Sequence, residues 1–431
     1  MKQIKLDHIT KIEGHANVTI NIDRGKLKDV RFETVEGARF FEGIVTGRKY
    51  YDVQKFVSRI CGVCSQAHLL GSILAIENAM GIFVSDQTRK LRRLVNIAAI
   101  IQSHCLHDFF LALPDYLGFE SAISMASKYP DEVKLALAIK RIANDINQVI
   151  GGRDIHCITL VPGGFTKLPS QEDIRALYIK VKEGKRLSVK AAKLFISLKY
   201  PDFERETEYV ALRDDDRYAL DSAHIVSTKG LDIEPSEYKN FISEIIKDYA
   251  ASKFALLNRK GYFVGALPRL NINHDKLSKD AKKLISSSGL QFPSHNPFHN
   301  NLAQAIEMVS LFDEAIEILE DFRLESACEP DVADYDVCAG HGYCAIEVPR
   351  GLLLHEYDID ETGTVKYANI IAPTTQNLKN IEDDLTEFIG QLLSKKVSKE
   401  KLIFEVEKLI RAYDPCISCS THGLKIKINK R

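Results

Sequence analysis

Apolar residues recur at spacings of three and four over long parts of the chain, which is the period of helices packed on a core. The predicted helical stretches cover residues 51–111, 132–150, 171–199, 300–321 and 377–413, the last split near residue 396. Apolar and polar positions alternate elsewhere, which predicts strands. A β-hairpin is expected over residues 16–36, and β structure over residues 345–371 with Gly363 in a turn.

The two periodicities are mixed between residues 202 and 270. We expect a helical run near residues 242–249 and a strand at residues 262–264. The sequence has no repeat, low-complexity tract or Ser/Gly-rich linker, so it gives no clean domain boundary. We therefore expect one α+β domain over residues 1–431, mainly helical, with a long central helical bundle, peripheral β-hairpins and small sheets. The N-terminal hairpin region would span about residues 1–40.

The composition is that of a folded globular protein: 45% of the 431 residues are hydrophobic and 27% are charged, with a formal net charge of -1. Mixed charges without a basic cluster, and the absence of Trp, argue against nucleic-acid binding. Apolar runs shorter than about 18 residues predict no transmembrane segment. The first residues lack the apolar core of a signal peptide. We therefore expect a cytoplasmic protein whose nine cysteines are reduced.

Two Cys-x-x-Cys motifs lie near opposite ends of the chain, Cys61 with Cys64 and Cys416 with Cys419. This spacing brings two sulfurs to one side of a turn and is typical of metal or redox sites. On the cysteines alone, structural zinc is the commonest interpretation, and dithiol redox chemistry and coincidence are the alternatives. The spacing does not identify the metal.

Residues next to the motifs add to the predicted chemistry. Asp414 suits an N-cap and Pro415 a first helical position, which would place Cys416 in a first turn, where the helix dipole favours the thiolate. His68 follows the first motif by four residues, and His422 follows the second by three. Each histidine could itself donate a hydrogen bond to a metal-bound thiolate.

A series of ordered segments resembles the large, catalytic subunit of the nickel–iron hydrogenases. Residues 59–68, RICGVCSQAH, and 414–422, DPCISCSTH, are similar to the two metal-binding signatures of that family. The other segments that fit the family in order are IEGH at 12–15, FFE at 40–42, GGR at 151–153, VPRG at 348–351 and APTT at 372–375. Structural zinc would require none of these, so the resemblance favours a hydrogenase.

The resemblance implies a nickel–iron centre held by four sulfurs. Cys61 and Cys416 would be terminal nickel ligands. Cys64 and Cys419 would bridge nickel to an iron that carries carbon monoxide and cyanide, and soft thiolates suit both metals. Heterolytic cleavage of H2 needs a Lewis-acidic metal and a nearby base. The sulfur of Cys416 would be the first base, and Glu13 would pass the proton onward.

The resemblance also assigns groups around the iron. Arg350 would lie over the iron side, with its five donors matched to cyanide nitrogens. Asp414 resembles the acid that accompanies this arginine. Pro349 and Pro373 would form an apolar wall, and Thr374 would donate a hydrogen bond to a cyanide.

Other matched positions are less directly involved. Glu42 and His422 match residues that hold a structural magnesium or iron near the C-terminal end. Ser103 stands where many family members have an acid, and His104 and His107 would support the surroundings of the centre. This Ser-His-x-x-His version is similar to the soluble, cytoplasmic branches of the family.

The five remaining cysteines have no iron–sulfur spacing, so electrons from H2 must leave through another chain. We expect an iron–sulfur small subunit as partner, and further subunits with flavin and iron–sulfur centres. In the family, a maturation protease removes a tail after the C-terminal histidine, which here would be residues 423–431.

The electron acceptor and the rival functions stay open at this point. The acceptor would be NAD(P) or sulfur, with coenzyme F420-related and heterodisulfide-linked types as alternatives. The rival functions are a zinc-stabilised scaffold and a metal-free, quinone-site relative of the same fold. Neither rival would have hydrogenase activity, and such quinone-site relatives have lost the ligand cysteines.

Overall fold

A computed structural model describes residues 2–24, 26–324 and 332–422. In chain order, the α-helices of these ranges, α1 to α14, are Phe41–Val45, Tyr50–Val57, Ser65–Met80, Asp86–Leu106, Leu113–Leu117, Ala122–Ala126, Pro130–Gly151, Gln171–Ile196, Ala266–Asn273, Lys279–Ser288, His299–Leu324, Pro373–Ser394, Lys399–Ala412 and Ile417–Ser420. The strands, β1 to β13, are Lys2–Leu6, Ala16–Asp23, Lys26–Thr34, Leu160–Val161, Gly164–Phe165, Val210–Arg213, His224–Ser227, Asp232–Ile233, Ile242–Ile246, Lys253–Leu257, Gly340–Val348, Gly351–Ile359 and Val365–Ile371. A π-helix, His107–Ala112, joins α4 to α5, and 3-10 turns span Pro235–Asn240 and His274–Lys276.

The long helices form the predicted central bundle. α8 packs against α11, and α4 packs against both α7 and α11. Ser85 and Ser170 cap α4 and α8, because each serine side chain accepts a backbone N–H from the first turn. The break near residue 396 is also confirmed, since α12 ends at Ser394 and α13 begins at Lys399. The α+β fold class with small sheets is therefore confirmed.

The predicted N-terminal hairpin is strands β2 and β3, and β1 adds a third antiparallel strand in the order β1-β2-β3. The sequence prediction missed β1, whose alternation covers only five residues. The outer strand β3 packs against α12. The segment between β1 and β2 is thereby held near the C-terminal end of the chain, where the backbone of Glu13 pairs with that of Cys416.

The predicted β structure after residue 340 is the antiparallel meander β11-β12-β13, which packs along α3. Pro349 and Arg350 form the turn between β11 and β12, where Val348 pairs with Gly351. Gly351 has a φ of 123°, and a Cβ there would lie 2.6 Å from the Gly265 nitrogen. Only glycine allows this approach, which fixes the direction of the turn that carries Arg350.

The helical run predicted near residues 242–249 is wrong. Ile242–Ile246 is strand β9, which pairs with β10 from Ile242 opposite Leu257 to Ile246 opposite Lys253. The apolar spacing of this short segment fits a helix, but its β-branched residues suit a strand, and the pairing with β10 decides between them. At residues 262–264, only an isolated bridge between Tyr209 and Phe263 is formed.

Among the described residues, the continuous helical stretch Asp86–Leu117 is long and apolar enough to cross a membrane, contrary to the count of apolar runs in the sequence. However, 83% of its most apolar window is buried inside the protein. A buried core helix passes the same test of length and composition, so this stretch is weak evidence for a span.

Candidate metal centre

The two cysteine motifs meet inside the protein, as the sequence predicted. The sulfurs of Cys61, Cys64, Cys416 and Cys419 all lie within 4.8 Å of one another, and all four residues are buried. Cys419 Sγ lies 2.9 Å from Cys64 Sγ and 2.8 Å from Cys416 Sγ, and Cys416 Sγ lies 3.5 Å from Cys61 Sγ. All four thiols are free. Their arrangement could hold a metal centre between the two ends of the chain.

Burial makes this cluster a poor place for several negative charges. Hydrogen bonds from the thiols of Cys416 and Cys419 lower the pKa of Cys61 well below its usual range. Burial raises the pKa of both Cys416 and Cys419 well above theirs. The cluster therefore favours one thiolate among thiols, and bound cations would be needed to ionise the others.

The local structure of the C-terminal motif differs from the prediction. Asp414 is not an N-cap, because α13 ends at Ala412 and Asp414 has a φ of 49°. The cap position of α14 is Cys416, and its backbone N–H donates to Thr374 Oγ1 at 2.9 Å. Asp414 instead binds Arg350, and this buried ion pair takes the carboxylate away from the helix. The predicted start of this helix is therefore wrong by two residues, and Cys416 lies at the cap position instead of in the first turn.

Glu13 lies along the C-terminal motif. Its backbone carbonyl accepts from Ile417 N–H at 2.9 Å, and its Oε2 accepts from Ser418 N–H at 3.0 Å. The same Oε2 lies 3.1 Å from Cys416 Sγ. Gly14 has a φ of 79°, and a Cβ there would lie 2.8 Å from the Ile417 Cβ, so glycine permits this contact. Glu13 is thus held in proton-transfer range of one cluster sulfur.

Arg350 is buried beside the cluster and held by Asp414. Its Nε donates to the Asp414 carbonyl at 2.7 Å, and its Nη2 lies 3.0 Å from Asp414 Oδ1. Its Nη1 is buried and has no partner among the described residues. A buried guanidinium donor without a protein acceptor leaves room for an acceptor that the chain does not itself supply.

A small cavity of about 10 Å³ joins Arg350 to the cysteines. The cavity is lined by Cys64, Ala67, His68, Val348, Pro349, Arg350, Leu353, Pro373, Thr374, Cys416 and Cys419. The predicted residues Pro349, Pro373, Thr374 and His68 therefore all share this space. Apart from Arg350, Thr374 and His68, the residues added to the sulfurs are apolar, which limits access of water.

Glu42 and His422 come together as predicted. His422 Nδ1 lies 3.9 Å from Glu42 Oε1, and neither ring nitrogen of His422 has a hydrogen-bond partner among the described residues. Burial lowers the pKa of His422 to about 3, so the ring is neutral and could bind a metal. Lys253 Nζ lies 3.4 Å from Glu42 Oε2 and partly balances the carboxylate.

His68 leads to two residues that the sequence did not indicate. His68 Nδ1 lies 3.3 Å from His355 Nε2, and His355 Nδ1 lies 2.8 Å from the Tyr357 hydroxyl. Burial lowers the pKa of His68 to about 3 and that of His355 well below its usual value, so both rings are neutral. Gly71 leaves room for the His355 ring, because a Cβ there would lie 2.8 Å from the ring.

Arg39 was also missed, although it connects the two cysteine motifs. Its Nη2 donates to the carbonyls of Ile60 and Ser418, the latter at 2.9 Å, and its backbone N–H donates to the Thr421 carbonyl at 3.1 Å. Each carbonyl lies next to or near a cluster cysteine. Arg39 is exposed and belongs to none of the motifs named from the sequence, so the sequence carries no signal for this role.

The donor set fits a nickel–iron centre. Four buried sulfurs supply soft ligands, the cavity is mostly apolar, and the unpartnered Nη1 of Arg350 could donate to a small acceptor bound there. Iron-bound cyanide, which the resemblance implies, would be such an acceptor. The unpartnered nitrogens of His422 beside Glu42 likewise fit a second metal.

Comparisons with known proteins agree with this chemistry. Residues 39–135 and 274–422 match the family model described as nickel-dependent hydrogenase, and residues 3–36 match a model described as HoxL-like. The chain is 35% identical over 423 residues to sulfhydrogenase 2 subunit alpha of Pyrococcus furiosus. This match covers 98% of the chain and 100% of the relative. Sulfhydrogenase 1 subunit alpha of the same organism is 33% identical over 427 residues, with 98% of each chain covered.

A solved structure has the same fold over nearly the whole chain. An NAD+-reducing NiFe hydrogenase in the H2-reduced state gives a TM-score of 0.88 at 26% identity, and the match covers 98% of this chain and 100% of that one. The predicted resemblance is confirmed, and nothing in these matches supports a zinc scaffold or a metal-free relative. The chain therefore belongs to the nickel-dependent hydrogenase family, as a catalytic large subunit.

Proposed function

We propose that this chain cleaves H2 reversibly and heterolytically at a nickel–iron centre, releasing protons through Glu13 and passing electrons to an iron–sulfur partner. The observation that carries this proposal is the 3.1 Å contact of Glu13 Oε2 with Cys416 Sγ inside a buried four-sulfur cluster. A nickel–iron centre bound to these sulfurs would supply the Lewis acidity that the reaction needs. The chain supplies the ligands, the base and the exclusion of water.

The division of the four sulfurs follows the family resemblance, with Cys61 and Cys416 as terminal nickel ligands and Cys64 and Cys419 shared with iron. Cys64 and Cys419 line the cavity beside Arg350, which is compatible with this role, but Cys416 lines it too. Thr374 Oγ1 accepts from the Cys416 N–H, so the hydroxyl proton of Thr374 is free to donate to a cyanide.

Proton transfer is assigned to Cys416 and Glu13. The Cys416 sulfur would accept the proton from H2, and Glu13 Oε2 would receive it next. Ser418 N–H donates to Oε2 and holds it in this position. Arg350, held by Asp414, would donate from its unpartnered Nη1 to ligands of the iron. Glu42 and His422 are proposed to hold magnesium or iron.

The proposed function is tested on the purified complex by infrared spectroscopy in the cyanide and carbonyl stretching region, where no side chain absorbs comparably. We expect bands of both ligands, together with nickel and iron by elemental analysis. A spectrum without these bands and a content of one zinc per chain would contradict the proposal. Activity that survives chelation without any bound metal would instead indicate dithiol chemistry.

The iron–sulfur partner is proposed to dock over the cysteine motifs. Three exposed apolar side chains lie on segments that contact these motifs. Phe40 follows Arg39, which binds both motifs. Ile155 and Ile158 lie on either side of His156, whose backbone N–H donates to Ser65 Oγ, next to Cys64. Ile158 is 56% exposed. Apolar side chains at such positions suit a stable subunit interface.

We expect Ile158→Asp to weaken binding of the partner by about tenfold or more, because the carboxylate would lose water in the interface. Titration of the variant with the isolated partner subunit measures this. Ile123→Asp is the matched control, since Ile123 is 88% exposed on α6. Equal affinity of the Ile158 variant and the control would argue against docking at this surface.

Residues 423–431 lie outside the described residues, so removal of the tail stays a prediction. Cys328, one of the five other cysteines, also lies outside the described residues. We expect the intact mass of active enzyme to end at His422. A mass that still includes residues 423–431 would contradict cleavage by a maturation protease.

We further propose a cytoplasmic location and additional flavin and iron–sulfur subunits. The sulfhydrogenase relatives favour a sulfur-linked acceptor, and the NAD+-reducing structural relative favours an NAD-linked one. Because the acceptor would bind another chain, reduction assays of the whole complex with each acceptor are needed to choose between them.

A further inference from the structure

A buried acid next to α4 lacks a hydrogen-bond partner in the part of the chain that the structure describes. Asp108 lies in the π-helix His107–Ala112 and is fully buried, and neither of its carboxylate oxygens is hydrogen-bonded among the described residues. Buried carboxylates are costly unless a cation or donors compensate them. π-helical turns frequently occur at functional sites. The role of Asp108 therefore needs an explanation beyond packing.

The neighbouring His107 faces two oxygen acceptors. Its Nδ1 lies 2.6 Å from Gln304 Oε1, and its Nε2 lies 2.6 Å from the Arg411 carbonyl. The carbonyl can only accept, so Nε2 must carry a proton. Gln304 Nε2 donates to Asp414 Oδ2 at 3.3 Å, which leaves Oε1 to accept from His107. Both ring nitrogens of His107 therefore need a proton, which makes the ring an imidazolium.

Reversing the Gln304 amide would let His107 Nδ1 accept a hydrogen bond from the amide nitrogen. The amide oxygen would then face Asp414 Oδ2, to which Gln304 donates in the observed orientation, and two oxygen acceptors would meet. A charged His107 is the arrangement that satisfies all these contacts.

Asp108 is placed to be the counter-ion of this cation. His107 Nδ1 lies 3.8 Å from Asp108 Oδ1 in a fully buried environment. Burial and the nearby carboxylate of Asp414 raise the pKa of Asp108, so its ionised form depends on a cation at this distance. The guanidinium of Arg411, whose carbonyl contacts His107, is bound by Asp115 and Glu407.

We propose that His107 and Asp108 form a buried imidazolium–carboxylate pair that positions Arg350 at the metal cavity through Gln304 and Asp414. The contacts run from His107 to Gln304, from Gln304 to Asp414 Oδ2, and from Asp414 Oδ1 to Arg350 Nη2. His107 and Asp108 are positioning residues, since neither lines the cavity. The effect on Arg350 rests on the proposed function, whereas the charge of His107 does not.

Other titratable groups near the pair are accounted for. Tyr116 from α5 and Tyr200, which follows α8, both feel the Asp108 charge, and burial raises the pKa of both, so they are neutral. Burial also raises the pKa of Cys105 on α4. His104 on the same helix binds Glu307, and burial lowers its pKa. On α13, Arg411 is paired with Asp115, Lys408 Nζ lies 3.9 Å from the centre of the Tyr116 ring, and Glu405 lies near Tyr116.

The test is nitrogen NMR of the intact holoenzyme complex labelled with 15N-histidine. We expect His107 to show two protonated ring nitrogens at neutral pH and above, and His104 on α4 to show one. The signals of His104 and His107 are identified among those of the 13 histidines by their loss in the His104→Gln and His107→Asn variants. A singly protonated His107 in the wild-type enzyme would overturn the proposal whatever the variants do.

Asp108→Asn removes the counter-ion and keeps the shape of the side chain. We expect His107 to lose its second proton near neutral pH, the cyanide bands to shift without losing intensity, and kcat to fall about tenfold or more with KM for H2 unchanged. Asp108→Glu should restore the imidazolium signal, and Asp131→Asn, an exposed acid on α7, is the control. An unchanged His107 spectrum in Asp108→Asn would overturn the proposal. Absence of cyanide bands in the wild-type enzyme would contradict the proposed function and leave the His107 result standing.

Discussion

Replacing Cys64 by serine is expected to abolish assembly of the metal centre. The Cys64 sulfur lies 2.9 Å from Cys419 Sγ and faces the cavity beside Arg350. A serine oxygen is a hard donor with a pKa far above that of a thiol, so it is a poor ligand for nickel or iron in a buried site. We expect nickel and iron contents near zero, no cyanide or carbonyl bands, and no H2 oxidation.

The control for this variant is another buried cysteine. Cys105 on α4 is fully buried, lies outside the four-sulfur cluster and donates to the Ala136 carbonyl, a bond that serine can keep. Cys105→Ser should retain metal and activity, with a stability cost of about 1 kcal/mol. A Cys64→Ser enzyme with full nickel content and unaltered infrared bands would remove Cys64 from the ligand set. Loss of zinc alone would favour the scaffold interpretation.

The sequence predicted those features of the fold that depend on local periodicity. The long helices repeat apolar residues over many turns, so their existence did not depend on their neighbours. β9 shows the opposite case, because the five residues Ile242–Ile246 fit a helix by spacing and become a strand by pairing with β10. Asp414 is a second case in which a contact between distant residues decides the local structure. The sequence suggests an N-cap there, but the carboxylate forms a buried ion pair with Arg350 instead.

The candidate site was predicted as a set of motifs and not as a set of contacts. Of the residues named from the motifs, Thr374 lines the cavity and Glu13 lies against a cluster sulfur, whereas Glu42 and His422 contact each other and do not line the cavity. Arg39, His355 and Tyr357 could not be named, because their roles arise from contacts between segments far apart in the chain. Asp108 was unremarkable in the sequence, and its burial without a hydrogen bond from any described residue becomes visible only in the folded protein.

Replacing Glu13 by glutamine is expected to leave the metals in place and to block proton exchange. The amide oxygen of glutamine can still accept from Ser418 N–H, so the segment beside Cys416 keeps its position. The amide cannot take up and release a proton near neutral pH, and loss of such a group typically costs about 10² to 10⁴ in rate. We expect a loss of this size in the exchange of H2 with D2O, a reaction that does not require electrons to leave through the partner.

The control is Glu36→Gln, because Glu36 is bound to His15 in the neighbouring segment and makes no contact with the cysteine sulfurs among the described residues. This variant should exchange protons at the wild-type rate. Nickel content and infrared bands of Glu13→Gln must match those of the wild-type enzyme, since a loss of nickel would assign Glu13 to assembly of the centre. If both variants exchange H2 with D2O at the wild-type rate while retaining nickel, the proton leaves Cys416 by a route that does not include Glu13. The 3.1 Å contact between Cys416 and Glu13 would then serve only to hold the C-terminal segment against the residues that follow β1.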